Sequence, residues 1–284
     1  MDSWKIGNVK ITKLQEQELA WKGTMILREG TADNVKREGE WLQPFVDNQG
    51  KFLVSVHSLL IESEGRRILV DTCVGNDKDR PGFKDWTNLH LPFLATIDKA
   101  GFPRDSIDTV VCTHLHLDHV GWNTVLENGR WVPTFPKAKY LMTKLEWEHW
   151  SKFEGNPDFK NAIDDSVRPV VDAGQAELVE TSRKLTGEVW LEPTPGHTPG
   201  HASVRISSGG ENAVITGDMM HNPIQIAHPD WICEFDNDPR LASETRQKFV
   251  ERYCDQPVRV LGTHFAGPTG GHIVRRGGEF HFEP

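Results

Sequence analysis

Four side chains able to bind metal ions lie close together in the run THLHLDHVGWN: His114, His116, Asp118 and His119. Imidazole nitrogens and carboxylate oxygens are ligands that Zn²⁺, Fe²⁺ or Mn²⁺ accept at about 2.0–2.2 Å. Positions 114 and 118 of a straight strand would lie about 13 Å apart, and position 116 of a helix would leave the shared face. The spacing therefore predicts a loop leaving the end of a strand, with His114 and His116 on one ion and Asp118 and His119 turned towards a neighbouring one.

Three further ligand candidates follow later β-rich runs. His197 lies in EPTPGHTPGH after the run EVWLE, Asp218 ends NAVITGD, and His264 ends VRVLGTH. Each is a polar group at or just past a β-run, where loops carry function on a rigid scaffold. We predict that all three join the cluster as metal ligands.

The H-x-H-x-D-H run and the later G-H, G-D and T-H elements, in this order, resemble those of the metallo-β-lactamase superfamily over about residues 52–265. The resemblance implies an α/β fold, a four-layer αββα sandwich of two mixed sheets with helices outside and the site at one sheet edge. It implies two divalent metal ions, with zinc expected and iron, manganese or cobalt as alternatives. It also divides the seven ligands: His114, His116 and His197 bind the first metal, Asp118, His119 and His264 bind the second, and Asp218 bridges them.

Two more polar residues lie near these motifs. Asp71 closes RRILVDT and resembles the superfamily's strand-end aspartate, which orients a ligand histidine through its second ring nitrogen. The alternative is an aspartate that caps a helix or forms a turn. His201 is expected to be structural, because the seven ligand positions already fill the pattern.

Such a site would be a cationic Lewis acid. Five neutral imidazoles, two carboxylates and a bridging hydroxide around two divalent ions sum to a charge of about +1. A metal pair can lower the pKa of water to near 7 and stabilise an oxyanion without a serine or cysteine nucleophile. Hydrolysis of an ester, lactone, thioester, amide or phosphoester follows, with Asp118 also holding the proton of the hydroxide.

Two departures from named branches narrow this activity. β-Lactamases of the superfamily generally lack an aspartate at the bridging position, so Asp218 argues against that reaction. Several lactonases carry a tyrosine just after the bridging aspartate, whereas this chain has His221 there, in GDMMHNPIQIAHPDW. We expect His221 to contact the substrate or to donate a proton to the leaving oxygen. The alternative is a histidine that only supports its neighbours.

We predict a hydrolase that attacks a lactone or another carboxylic ester with an apolar part, because tryptophans and phenylalanines are frequent in the segments expected over the site. An organophosphate triester hydrolase and a glyoxalase II-like thioesterase are alternatives. A mononuclear iron persulfide dioxygenase would leave Asp118, His119 and His264 partly idle. A binding module without activity would be expected to lack ligands, and none is missing.

The elements that must position these groups can be predicted from periodicity. Runs of β-formers bounded by turn residues predict strands over 9–12, 55–62, 66–72, 108–113, 138–143, 188–192, 202–208, 212–218 and 259–264. Apolar residues at helical spacing predict helices over 91–100, 144–153 and 240–254. We expect one domain over residues 1–284, with additions around the substrate site at about 17–50, 74–95 and 144–180.

The bulk composition limits the partners. A formal charge of −9 over 284 residues, without a Lys/Arg run, argues against a nucleic-acid track and leaves a small-molecule substrate. Four separated cysteines without a CxxC pair suit a reducing compartment. No leader and no membrane-spanning stretch can be recognised, so we expect a cytoplasmic protein without membrane contact. A homodimer is left open.

Overall fold

Two β-sheets lie face to face in the structure, a computed structural model that describes residues 2–284. The strands of this part of the chain are β1 (Ser3–Ile6), β2 (Val9–Trp21), β3 (Phe52–Ser63), β4 (Arg66–Val70), β5 (Thr109–Val111), β6 (Thr124–Glu127), β7 (Arg130–Pro133), β8 (Lys139–Thr143), β9 (Ala176–Val179), β10 (Val189–Pro193), β11 (Ala202–Ser208), β12 (Glu211–Ile215), β13 (Val258–Leu261), β14 (Gly270–Arg276) and β15 (Glu279–Glu283). The first sheet has the order β1-β2-β3-β4-β5-β8-β9 and the second the order β10-β11-β12-β13-β14-β15. Strands β6 and β7 form a separate hairpin.

Alternating apolar side chains hold the two sheets together. Leu60 pairs with Leu69 and Ile61 pairs with Ile68 across β3 and β4. Successive residues of a strand point to opposite faces, so the two pairs lie on opposite sides of the sheet. Ile61 and Ile68 share a buried cluster with Val204 of the second sheet, whereas Leu60 and Leu69 belong to the cluster that includes the helices. One core therefore lies between the sheets and another lies outside them.

Helices cover the outer faces. They are α1 (Ala32–Arg37), α2 (Phe93–Lys99), α3 (Leu117–Val120), α4 (Lys144–Trp150), α5 (Pro157–Ala162), α6 (Arg168–Asp172), α7 (Ile224–Ala227) and α8 (Pro239–Tyr253), with a π-turn at Ile163–Val167 between α5 and α6. The longest, α8, begins at Asp238, whose side chain accepts a hydrogen bond from the Leu241 N–H at 3.0 Å. It buries Phe249 and Val250 in the outer cluster. The predicted αββα sandwich is thereby confirmed.

The addition predicted from residue 17 begins later than expected. Strand β2 continues to Trp21, which pairs with Phe52 at the start of β3, across an irregularity between Gln15 and Gln17. The polar stretch before Trp21 hides the strand from pattern analysis, but pairing of main chains does not require apolar side chains. Of the addition predicted over residues 17–50, residues 17–21 therefore belong to the first sheet.

The addition predicted over residues 144–180 is mostly regular. Helix α4 ends at Trp150, three residues before the predicted end of its helix, and α5, the π-turn and α6 were not predicted. Strand β9, inside the predicted addition, is an edge strand of the first sheet and pairs in parallel with β8. The helices between residues 157 and 172 are short and polar on one side, which hides their periodicity. No helix within residues 2–284 combines the length and the apolarity that crossing a membrane requires.

Candidate metal centre

The predicted ligands lie at one edge of the sandwich, past the ends of parallel strands. Strands β4 and β5 are parallel, and Asp71 and His114 follow them. Strands β12 and β13 are parallel in the other sheet, and Asp218 and His264 follow those. Parallel strands end at the same edge of a sheet, so residues far apart in sequence meet there.

The strands predicted over 212–218 and 259–264 are shorter in the structure. They end at Ile215 and Leu261, so Asp218 and His264 occupy turns three residues beyond and do not end the strands themselves. Gly217 has a φ of +58°, in the left-handed region, which turns the chain out of the sheet just before Asp218. The turn, and not the strand, aims the carboxylate.

The first group of ligand atoms consists of three histidines and one aspartate, all within 4.8 Å of one another: His114, His116, His197 and Asp218. His116 Nδ1 lies 3.0 Å from His197 Nε2. Asp218 Oδ2 lies 3.7 Å from His197 Nε2 and 3.8 Å from His114 Nε2. These side chains are buried, so their polar atoms face one another and not solvent.

The second group consists of two histidines and two aspartates: Asp118, His119, Asp218 and His264. Asp218 Oδ2 lies 3.1 Å from His119 Nε2 and 3.2 Å from His264 Nε2. Asp118 Oδ2 lies 3.4 Å from His264 Nε2. Asp118 and His119 are presented by the single turn of α3, which closes the loop after β5. Asp218 belongs to both groups, as the resemblance implied for a bridging ligand.

The donor atoms suit a pair of divalent ions. His114 Nε2 is buried and has no hydrogen-bond partner among residues 2–284. A buried polar atom without a partner has a cost of roughly 1–3 kcal/mol, which an ion facing His114 would remove. Nitrogen and oxygen donors gathered within one ion's reach are the set that zinc and its neighbours bind.

Four of the histidines are hydrogen-bonded from behind through their second ring nitrogen, and for His114 the partner of Nδ1 is the adjacent Thr113 Oγ1 at 3.1 Å. His119 Nδ1 lies 2.9 Å from Asp71 Oδ2, as predicted for Asp71. His197 Nδ1 lies 3.0 Å from Asp236 Oδ1, and His264 Nδ1 lies 3.1 Å from the carbonyl oxygen of Ser55. These bonds select the ring orientation that leaves Nε2 free for a metal.

Asp236 was not predicted. It lies in the stretch CEFDND, which carries no metal motif, and it also contacts Arg246 of α8. Arg246 Nη1 lies 3.2 Å from Asp236 Oδ2, and both side chains are fully buried. The contact between Asp236 and His197, 39 positions apart, leaves no local signal in the sequence.

The two groups differ in their electrostatics. Burial, together with neighbouring histidines, holds the pKa of His114, His116 and His197 well below the ordinary value. Burial would also lower the pKa of His119, but Asp218, Asp118 and Asp71 outweigh it and raise that pKa well above its usual range. The low pKa values favour the neutral form of the three histidines of the first group, whereas the raised pKa values of His119 and His264 mean that the second group releases protons when it binds a metal.

His221 lies beside the shared carboxylate. Its Nε2 is 3.3 Å from Asp218 Oδ2 and 3.5 Å from the thiol sulfur of Cys233. Its Nδ1 is buried without a partner in the described chain. His201, by contrast, bonds through Nδ1 to Thr194 Oγ1 at 2.8 Å and belongs to neither ligand group, in line with the structural role expected for it.

A pocket opens over the two groups. The polar part of its lining consists of His116, Asp118, His197, Asp218, His221 and His264. The apolar part consists of Trp21, Ile26, Val54, Phe83, Trp86, Leu117, Phe159 and Phe235. The aromatic residues come from the end of β2, from the predicted additions at 74–95 and 144–180, and from the segment before α8.

The segment 74–95 is fastened firmly against the helices on the other side of the pocket. Arg80 is fully buried and forms a two-pronged ion pair with Asp165, at 2.7 and 2.8 Å. Gly82 N–H donates to Asp158 Oδ1 at 3.1 Å, and Trp21 Nε1 donates to Asp85 Oδ2 at 2.9 Å. An ion pair and hydrogen bonds thus connect the apolar wall to β2, α5 and the π-turn.

Comparison with known proteins places these motifs in a family. The profile of the metallo-beta-lactamase superfamily matches residues 52–278. An N-acyl homoserine lactonase of Bacillus thuringiensis is 25% identical over 226 residues, covering 75% of this chain and 83% of that protein. Integrator complex subunit 11 of Danio rerio is 23% identical, covering 76% of this chain and 36% of that protein, so this chain spans about a third of its length.

A solved structure shares the fold. AidC, a dizinc quorum-quenching lactonase in complex with a product, matches 100% of this chain and 96% of its own with a TM-score of 0.80 and 22% identity. The predicted superfamily and fold, and the prediction of a metal-dependent hydrolase acting on ester bonds, are confirmed. The profile spans most of the chain and includes every predicted ligand. This chain belongs to the metallo-beta-lactamase superfamily.

Proposed function

We propose that this chain is a dinuclear metal-dependent hydrolase that opens lactones or cleaves another carboxylic ester with an apolar part. One observation carries the proposal: two four-residue ligand groups share Asp218 at the bottom of a pocket whose remaining lining is largely aromatic. His114, His116 and His197 would hold one ion, and Asp118, His119 and His264 the other. Zinc is the expected metal, because a dizinc lactonase shares the fold.

When bound, the two ions would polarise the ester carbonyl and lower the pKa of a water near them towards 7. The chain's own residues then orient the reactants. Asp118 lines the pocket and is 9% exposed, so its carboxylate can receive the proton of the attacking water. His221 also lines the pocket and is the candidate that returns a proton to the leaving oxygen.

The apolar wall supports a substrate with an acyl or aryl part. Trp86 packs against Trp21 with ring centroids 4.6 Å apart and against Phe83 at 5.5 Å. Phe83 continues to Phe159 and Phe235 at 6.2 and 6.1 Å. Aromatic surface of this kind favours an apolar ligand over a charged one. The relatives named as N-acyl homoserine lactonases make a lactone with an acyl side chain the first substrate to test.

A substrate panel with the metal-reconstituted protein tests this function. It contains N-acyl homoserine lactones, simple lactones, aryl esters, phosphotriesters, a glutathione thioester and a β-lactam, with Asp118→Ala as the inactive control. We expect turnover of lactones and aryl esters that disappears in the control. Activity confined to the thioester or to phosphotriesters would overturn the substrate class, and one iron per chain with oxygen consumption would overturn the reaction class.

The role of His221 has its own test. His221→Ala should keep both metals and slow the turnover of esters with poor leaving groups more than that of activated aryl esters, because only the former need a proton on the leaving oxygen. Equal effects on both ester classes, or none, would contradict a proton donor.

A further inference from the structure

Two glutamates outside the ligand groups bond to the chain segments that carry the ligands and their supports. Glu146 is fully buried in α4. Its carboxylate accepts hydrogen bonds from the N–H groups of Leu115 and Gly200, at 3.1 and 2.7 Å, and from Trp150 Nε1 at 2.9 Å. Leu115 lies between His114 and His116, and Gly200 is three residues after His197. One carboxylate therefore joins both chain segments that carry the histidines of the first group.

The capping pattern at the start of α4 predicts a different contact for the Glu146 side chain. Thr143 caps α4 by accepting a bond from the N–H of Glu146, and a glutamate at that helix position usually reaches back to the capping residue. Here it points away, to the two ligand segments. The close fit is visible at Gly200, where an added Cβ would lie 2.4 Å from Thr143 Oγ1.

Glu16 makes the corresponding contacts for the second group. It occupies the irregularity of β2 between Gln15 and Gln17, where it is not paired with β3. Its carboxylate accepts bonds from the N–H groups of Val74 and Gly75, at 2.9 and 3.1 Å, and from Trp122 Nε1 at 2.6 Å.

The two segments that Glu16 joins carry the second group and its support. Val74 follows Asp71, which fixes His119, and Trp122 is three residues after His119. The segments also bond to each other, through Thr72 N–H to His119 O at 2.8 Å. Glu16 is therefore connected to the main chain on both sides of the contact between Asp71 and His119.

We propose that Glu146 and Glu16 are positioning residues, each of which sets the geometry of one metal subsite: Glu146 that of the first group, Glu16 that of the second. Both use the same donor set, two main-chain N–H groups and one indole. The inference rests on the proposed dinuclear centre. Burial raises the pKa of both carboxyls, that of Glu16 to about 7, and the hydrogen bonds from the main-chain N–H groups and the indoles oppose this shift, so the ionised form of each glutamate depends on the segments that it joins.

Matched variants separate this role from a general structural one. Glu146→Gln and Glu16→Gln keep the side-chain shape but place an amide where N–H donors point. The apo forms of both variants and of the wild type are titrated with Co²⁺ and Zn²⁺, against a chromophoric chelator, in the full chain. The Co²⁺ absorption spectra of His116→Ala and His264→Ala mark an ion held only by the second and only by the first group.

We expect each glutamine variant to weaken one binding step about 10–100-fold and to leave the other step near wild type. At one equivalent of Co²⁺, Glu146→Gln should give the spectrum of His116→Ala, and Glu16→Gln that of His264→Ala. Trp150→Phe and Trp122→Phe remove one donor from each glutamate. They should give the same selectivity with a smaller loss, which covers a glutamine variant that does not fold.

Two results would overturn the inference. If each variant weakens both binding steps alike, or neither, the glutamates do not set one subsite each. A wild-type chain that binds fewer than two ions would instead overturn the proposed centre itself, and the inference with it, so the two failures are distinguishable.

Discussion

The floor and the wall of the pocket are built in different ways. The floor consists of the polar groups that line it: His116, Asp118, His197, Asp218, His221 and His264. The wall consists of five aromatic side chains: Trp21, Phe83, Trp86, Phe159 and Phe235. In the floor, His197 and His264 are held from behind by Asp236 and by the carbonyl oxygen of Ser55. The wall is held by contacts between its rings and by an ion pair and hydrogen bonds between neighbouring segments. We infer that the floor determines whether a bond is broken and the wall determines which substrate is chosen.

The largest effect should come from the shared floor residue. Asp218→Asn removes the only carboxylate common to both ligand groups of the described chain, so we expect loss of at least one ion per chain and a fall in kcat of about 10³-fold. Metal content and steady-state kinetics measure this. The exposed Asp230→Asn is the matched control and should behave as wild type. Normal turnover and two bound ions in Asp218→Asn would contradict the claim that Asp218 holds both metals.

A residue behind the floor should have a smaller effect. Asp71 accepts bonds from Thr113 N–H and from His119 Nδ1, at 2.8 and 2.9 Å. Asp71→Asn keeps one acceptor but no charge. Because Asp71 bonds to His119, we expect the affinity of the second ligand group for its metal to fall about 10–100-fold. Chelator competition measures it. KM should not change once metal is saturating, and a KM effect alone would place Asp71 in substrate binding.

A wall variant should change selectivity and leave the metals alone. Trp86→Ala removes a ring that packs on two others, and we expect KM for a long-chain N-acyl homoserine lactone to rise about tenfold. Short-chain lactones should be affected less, and kcat little. Trp86→Phe keeps a ring and is the control, expected to lie near wild type. A loss of metal, or an equal effect on all chain lengths, would contradict the division between floor and wall.

The smallest effect concerns an ion pair outside the wall. His228 Nε2 lies 2.8 Å from Glu38 Oε1, joining the segment between β2 and β3 to the one before α8. This bond raises the pKa of His228 against the opposing effect of burial, and Asp230 and Glu279 add to it. The pair should therefore stabilise the fold below about pH 6.5 and lose this contribution as pH rises through the raised pKa.

Thermal unfolding of His228→Gln and wild type measures this contribution. The variant should be less stable by under about 1 kcal/mol at pH 6 and equal to wild type at pH 9. Metal content should be the same at both values. A difference that grows with pH would contradict the assigned sign.

The ligand candidates of the floor can be recognised in the sequence and the residues of the wall cannot, for a physical reason. Metal ligands must be histidines or carboxylates, so His114, His116, Asp118 and His119 stand out even without a structure. The wall can be any apolar surface, and its residues come from separate segments without a motif. The residues that bond to the ligand histidines from behind are intermediate, because one could be recognised in the sequence and another could not. Asp71 directly follows a strand and was predicted, whereas Asp236 lies in an irregular segment without a motif and reaches His197 only through the fold.

The same difference explains the errors in the elements. Strands with alternating apolar residues were predicted close to their bounds, but β2 continues through a polar stretch that only its partner strand makes visible. The short helices over the pocket lack the length that periodicity needs. A single domain over residues 1–284, a cytoplasmic location, the lack of nucleic-acid and membrane partners and a homodimer stay predictions.

Turnover as a function of bound metal tests the central claim most directly. Apo protein is loaded stepwise with Zn²⁺, and ring opening of an N-acyl homoserine lactone is followed by proton release at each step. We predict little turnover up to one equivalent and a rise to a plateau at two, because Asp218 and both ligand groups act as one site. Full turnover at one equivalent, or an intact lactone at two, would contradict a dinuclear lactone hydrolase.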